Sequence, residues 1–371
     1  MSFGVQVNTR VSPATSGPLT ATGTLHLAGP ATPVPSSILE FHQLADFEGA
    51  VSDRSVAANV PSWDALDTFF REGGNHVFFG GYTTDYGDGL TMLDDPRKGP
   101  GNLAVVGGAL TYDTTLYEDM QSVCSNCNRV AIRDVASGDD VTAMEAKGAL
   151  TPVHDDLGAT FGPWPTVPGP AGVFGAGPRV VPASVVIAAL CNRVDTAGNP
   201  NRAAAGPAWP LQYVTDFYNP TDAERSALFT AGVNAFGDVY DILQNYGFQT
   251  NIPQSEAENN PFWQFNCSRA RMYLKDRAQR RGSNYMFSPI DGKGRTAAKL
   301  QGDIEAECFA LYQADGLFGD TAQDAYSVMV TETLQNIAQG ELHASAEVVF
   351  SLHARAVIID LVTVPIGGSV S

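Results

Sequence analysis

The side chains best suited to chemistry are few and scattered. Cys124-Ser125-Asn126-Cys127 has the spacing of half a zinc site or of a redox pair. A structural zinc site needs four ligands, and no second Cys or His pair stands at comparable spacing. A redox pair belongs at a strand-to-helix junction, whereas this one ends a predicted helix. Asp291-Gly292-Lys293-Gly294-Arg295-Thr296 hints at a phosphate loop, but it is not GxxxxGK[ST] and no apolar strand precedes it, so it reads as a turn entering a helix. His26, His42, His76, His154, His343 and His353 form no HExxH and flank no GxSxG serine. Asp94-Asp95, Asp139-Asp140 and Asp155-Asp156 are adjacent pairs in loop-like sequence, and adjacent residues do not face each other as acid and base must. Nucleophile, base and orienter do not come together. The expectation is no catalytic residue, no metal ligand and no cofactor.

The cations are concentrated instead. Arg269, Arg271, Lys275, Arg277, Arg280 and Arg281 place six of the 22 basic residues on one predicted helix. They make either a solvated face balanced by local carboxylates or a basic face that meets an acidic partner, where complementary charge sets register more than affinity. The chain as a whole carries a net charge of −18. Such a chain repels nucleic acid and anionic membranes and stays soluble at high concentration. No apolar run approaches a membrane span, and Met1-Ser2-Phe3-Gly4-Val5 lacks the basic start of a signal segment. Five cysteines, an odd number, argue against a secreted disulfide scaffold and for synthesis in a reducing cytoplasm.

The elements that must position these residues follow from periodicity. With 371 residues the chain can bury a sizeable core, and 37 glycines and 23 prolines point to many turns. Phe3, Val5 and Val7 alternate with small or polar residues, giving a short strand on a Pro/Gly-containing spacer, an arm over 1–23. A first core strand is expected at Thr24–Gly29. Ser62–Gly73 has a helix cap, an apolar face of Leu66, Phe69 and Phe70, and a glycine stop, and the strand His76–Tyr82 follows at once. Residues 83–102 read as a surface loop. Leu103–Val106 and Val130–Ile132 read as strands around a helix near Leu116–Cys127. Ser184–Leu190 reads as a buried helical turn. Thr221 and Glu224 form a capping box over a short helix. Longer helices are expected at Trp263–Arg281 and from Thr296 to about Ala314, with strands at Tyr326–Val330 and 346–364. In the last of these, Val348, Phe350 and Leu352 alternate with polar residues, and then Val357, Ile358, Ile359, Leu361 and Val362 are apolar on both faces. A strand apolar on both faces needs cover on both, which at a chain end another subunit can supply. The expected class is α/β (α+β), divided into the arm 1–23, an α/β portion 24–160, a second domain 161–345 and a C-terminal strand and arm 346–371.

Taken in order, these features resemble the contractile tail sheath proteins of bacteriophages and related injection systems. Phe69-Phe70 with Gly73-Gly74 before a strand is similar to the family's FF-x-x-GG helix and strand. Phe161-Gly162-Pro163-Trp164 is similar to its Tyr/Phe-x-Pro-Trp segment. Val181-Pro182-Ala183-Ser184, Cys191-Asn192-Arg193-Val194-Asp195, Gly198 and Ala203–Gly206 resemble its PPSG…AR-x-D…APA stretch, with Val181 in place of a proline and Ala183-Ser184 in place of Ser-Gly. Phe262-Trp263-Gln264-Phe265-Asn266-Cys267-Ser268-Arg269-Ala270 resembles its W-x-x-INVRR helix, and Gly340-Glu341-Leu342 with the closing strand resembles its C-terminal end. The resemblance implies a compact core with a mixed sheet flanked by helices and little inserted decoration. It also implies a structural protein that polymerises as stacked rings of six around a tail tube. Terminal arms would add strands to neighbouring subunits, and contraction between two packings would drive the tube through a host envelope. Implied partners are further copies, the tube protein, and baseplate and tail terminator proteins, in a virion tail assembled in the host cytoplasm. Another tail or capsid component, or a soluble α/β enzyme, are the alternatives left by the residues alone.

Overall fold

A computed structural model of the protein describes residues 22–107, 110–150, 155–170, 176–252, 256 and 260–354. The expected arm residues Phe3, Val5, Val7, Val357, Ile358, Ile359, Leu361 and Val362 lie outside the described residues, as does His154, while 346–354 of the expected C-terminal strand are described.

The first half alternates strands and helices. In chain order these are β1 (Leu25–Pro30), β2 (Leu39–Phe41), α1 (Leu44–Ala50), α2 (Val60–Arg71), β3 (Val77–Tyr82), α3 (Tyr86–Leu93), β4 (Asn102–Val105), α4 (Thr114–Cys127), β5 (Val130–Asp134), α5 (Val141–Ala149) and β6 (Gly158–Gly162). The short pair β7 (Thr166–Val167) and β8 (Arg179–Val180) precedes α6 (Ala183–Ala197), α7 (Asp222–Thr230), β9 (Val233–Val239) and β10 (Ile242–Asn245). The remainder is α8 (Phe265–Ser283), α9 (Arg295–Gln313), α10 (Ala322–Ala325), β11 (Tyr326–Thr331), α11 (Leu334–Gln339) and β12 (His343–Val348).

One eight-stranded mixed sheet runs β10-β9-β6-β5-β4-β1-β3-β2, with parallel inner pairs and antiparallel edges. Its inner strands are apolar on both faces because helices cover both. Leu25, Leu27 and Phe79 pack with Phe69 of α2 and Ile187 of α6 on one face, while Ala28, Phe78 and Leu103 pack with Leu116 and Met120 of α4 on the other. A second core gathers Cys267, Tyr273, Leu300, Ile304, Leu311, Val328 and Phe350 from α8, α9, β11 and the segment after β12. Helix α8 joins the two, sending Phe265 and Met272 into the first core and Cys267, Ala270 and Tyr273 into the second.

Three expectations are corrected. Residues 83–102 are not a surface loop: they contain α3, whose Leu90 and Leu93 are buried. Two glycines make that packing possible, since a Cβ on Gly80 would lie 2.4 Å from the Gly89 carbonyl oxygen. The turn at Ser184–Leu190 is the interior of α6, a helix of 15 residues buried nearly all round. The division at 160/161 falls inside β6, which pairs with β5 on one side and β9 on the other. The change of core lies at α8.

Candidate assembly surfaces

The helix that carries the basic cluster is α8, and the structure spends most of its charge internally. Arg269 is fully buried, with Nη2 2.7 Å from each carboxylate oxygen of Asp195 in α6. Thr22 Oγ1 donates to the same carboxylate at 2.5 Å. Burial pushes the Asp195 carboxyl up, and the Arg269 guanidinium draws it part of the way back. Arg271 pairs with Asp156 and stacks over the Phe262 ring at 4.1 Å. Arg281 Nε donates to Glu307 of α9 at 2.8 Å, with Arg277 3.8 Å from the same carboxylate. Arg280 pairs with Asp276 one turn away at 2.8 Å and is exposed. Lys275 is half-buried, which pushes its ammonium down. The expectation of a basic face open to a partner is therefore corrected for Arg269, whose side chain reaches no surface. For Arg271, Arg277, Arg280 and Arg281, the local balance by carboxylates is what the structure displays.

The remaining motifs are absorbed in the same way. All five cysteines are buried free thiols, and burial pushes Cys127 up to about 12. Asp291 Oδ1 accepts from the Lys293 and Arg295 N–H groups at 3.1 Å, forming the turn into α9. Asp95 and Asp140 cap helical turns, and Asp155 pairs with buried Arg133. In an open α/β sheet the default ligand crevice lies at the carboxyl ends of the strands, where the strand order reverses. Here that is beside β1, and the Tyr82 phenol spans it, donating to the Val106 carbonyl at 2.6 Å. Gly107 lies against that ring, a Cβ there falling 2.3 Å from the hydroxyl.

One cluster escaped the sequence reading. Phe41 of β2 opposes Val77 of β3, which places His42 across from His76 one step beyond the strands. The two rings stack at 4.8 Å with 8° between their planes, and Glu40 Oε1 lies 2.9 Å from His76 Nε2 and 3.6 Å from His42 Nε2. Only the pairing of a three-residue edge strand brings these together, and no local sequence signal specifies that pairing.

The second core presents the surface best shaped for association. Among the described residues, β11 and β12 pair only with one another, giving a two-stranded antiparallel sheet with two outer edges. Around it Met329, Phe318, Val349 and Leu352 are exposed, and Leu334 is 88% exposed. The Phe318 N–H donates to the Val349 carbonyl at 2.8 Å, which sets these two residues side by side.

No protein-family model matches the chain, and no curated protein matches it by sequence. Solved structures do match. The PVC sheath complex of an extracellular contractile injection system, in its contracted state, aligns with a TM-score of 0.73 at 16% identity over 99% of this chain and 98% of that one. The helical sheath of the anti-feeding prophage, also contracted, aligns with a TM-score of 0.68 at 19% identity over 98% and 99%. A sheath tail protein from Listeria innocua aligns with a TM-score of 0.51 at 9% identity over 91% and 96%. From its first core strand to its closing two-stranded sheet, this chain has the fold of a contractile sheath protein.

Proposed function

We propose that this protein is a structural, non-enzymatic subunit of a contractile sheath on a phage-like particle. The observation that carries the reading is the likeness in fold to sheath subunits over nearly the full length of both chains. The two-stranded sheet with its exposed apolar surround supports it, because outer strand edges accept further strands through backbone hydrogen bonds. In the fuller form of the proposal, copies assemble as stacked rings of six around a tail tube. Phe3, Val5 and Val7 at one end, and Val357, Ile358, Ile359, Leu361 and Val362 at the other, supply strands to neighbouring copies. The bodies then move as rigid units during contraction, driving the tube through the host envelope. Tube, baseplate and terminator proteins are the remaining partners, with assembly in the host cytoplasm, and exposed Arg280 is the member of the basic cluster best placed to meet one of them.

Electron microscopy of the concentrated protein tests this directly. Full-length chain should form wide hollow tubes, while chains lacking residues 1–20 or 355–371 should keep the circular dichroism of the folded subunit and form none. Tubes of normal width from both truncated chains would remove the arms from the mechanism, and a dispersed monomer at every concentration would remove the sheath reading itself.

A further inference from the structure

The geometry points to a divalent transition-metal site of the zinc class formed by Glu40, His42 and His76 at the outer edge of the large sheet. Three donor atoms, two imidazole Nε2 and one carboxylate oxygen, lie within 4.8 Å of one another. Tetrahedral zinc with bonds near 2.0–2.1 Å sets its donors about 3.3 Å apart. The two rings stack nearly parallel, so the exposed His42 ring must turn out of the stack for both Nε2 lone pairs to meet one ion. The backbone below is fixed by antiparallel β2–β3 pairing, with Glu40 opposite Phe78 and Phe41 opposite Val77. Because side chains alternate along a strand, Glu40, His42, His76 and Phe78 share one face.

A second feature is the support behind the ring. His76 Nδ1 lies 3.1 Å from Thr24 Oγ1, a hydroxyl that can accept its N–H and leave the Nε2 lone pair directed at the cluster. Metal-binding histidines are held by this kind of partner on the far nitrogen. The His76 ring is also packed edge-on against Phe78 at 4.8 Å. Lys98 and Arg280 line the cleft beside the site. Their charge opposes any cation at the site, and it is the two imidazole nitrogens with a single carboxylate that suit a zinc-class ion better than calcium or magnesium, which take oxygen ligands. Glu40 and His42 are exposed, so a fourth position stays open to water or to a donor from another molecule.

Cobalt(II) is the probe, titrated into metal-free full-length protein while its visible d–d absorption is followed, with zinc as competitor. One saturable equivalent per chain, displaced by zinc, is expected. His76→Gln and His42→Gln should abolish it, Thr24→Val should weaken it roughly tenfold, and His343→Gln, which alters the exposed His343–Glu341 pair elsewhere, should leave it unchanged. His42 and Glu40 lie at the surface, so His42→Gln and Glu40→Gln test the site without disturbing the core. Absence of a saturable equivalent, or a titration that His42→Gln and Glu40→Gln leave intact, would overturn the assignment. The readout does not depend on tube assembly, so it stands or falls apart from the sheath reading.

Discussion

Asp134 ends β5 with its carboxyl buried against the first turn of α6, where Oδ1 accepts from the Ser184 N–H at 2.7 Å and Oδ2 from its hydroxyl at 2.5 Å. Those bonds favour the charged form, yet burial outweighs them and pushes the carboxyl from 3.8 up to about 7. Between these values the folded protein holds a proton that the unfolded chain has released. Stability therefore falls as pH rises through that window, and the loss is complete above it. The interval corresponds to at most about 4 kcal/mol. Asp134→Asn should flatten the change in urea midpoint between about pH 5 and about pH 8. Buried Asp195 and Glu72, both raised, add slope of the same sign, while His26, His76 and His353, all lowered by burial, add slope of the opposite sign, so the comparison is between the substituted and unsubstituted proteins. A slope equal to that of the unsubstituted protein would show that Asp134 does not titrate there. None of this was visible in the sequence, where Asp134 is one carboxylate among 40 acidic residues. Neither was the cluster of Glu40, His42 and His76, because both depend on which strands lie side by side.

At the scale of elements, local signals were legible wherever they were local in cause. The capping box at Thr221 and Glu224 forms as read, with Gly232 in the left-handed region (φ +85°) closing α7. The helices read at Trp263–Arg281 and Thr296–Ala314 appear as α8 and α9, displaced by a residue or two at their ends. What failed had a tertiary cause. Helix α3 contains Gly87 and Gly89, poor helix formers, and exists because it docks closely on β3. Helix α6 is buried on nearly every side, so no solvent-facing stripe marked its length. The closing alternation of Val348, Phe350 and Leu352 splits between structures: β12 ends at Val348, Phe350 enters the second core, and Leu352 is exposed. The exposed side chains beside β11 and β12 bear on function. Met329→Lys and Leu334→Lys touch no buried contact and should shift subunit stability by no more than about 0.5 kcal/mol. If this surface is covered in the assembled particle, a desolvated lysine there should raise the concentration needed for tube formation at least about tenfold. Sedimentation of assembled material against total concentration measures it. An unchanged threshold in the double variant would place the interface elsewhere.

For the whole molecule the decisive quantity is charge. Each copy carries −18, and its main cluster of cations is largely committed to its own carboxylates, Arg269 to Asp195, Arg271 to Asp156, and Arg277 and Arg281 to Glu307. Little of α8 is left to attract the acidic surface of another copy, so the long-range force between copies is repulsion. What must overcome it is short-range: backbone hydrogen bonds of added strands and burial of apolar side chains, neither of which salt weakens appreciably. Raising ionic strength shortens the Debye length from about 10 Å at 0.1 M to about 3 Å at 1 M and removes the repulsion first. Tube formation followed by light scattering should therefore begin at lower protein concentration as sodium chloride is raised from about 0.1 M toward 1 M. Attraction between a basic helix and an acidic neighbour predicts the reverse, since screening weakens it. Tubes that dissolve on adding salt would thus show that α8 carries the lattice after all, through cations that exchange their internal carboxylates for those of the next copy.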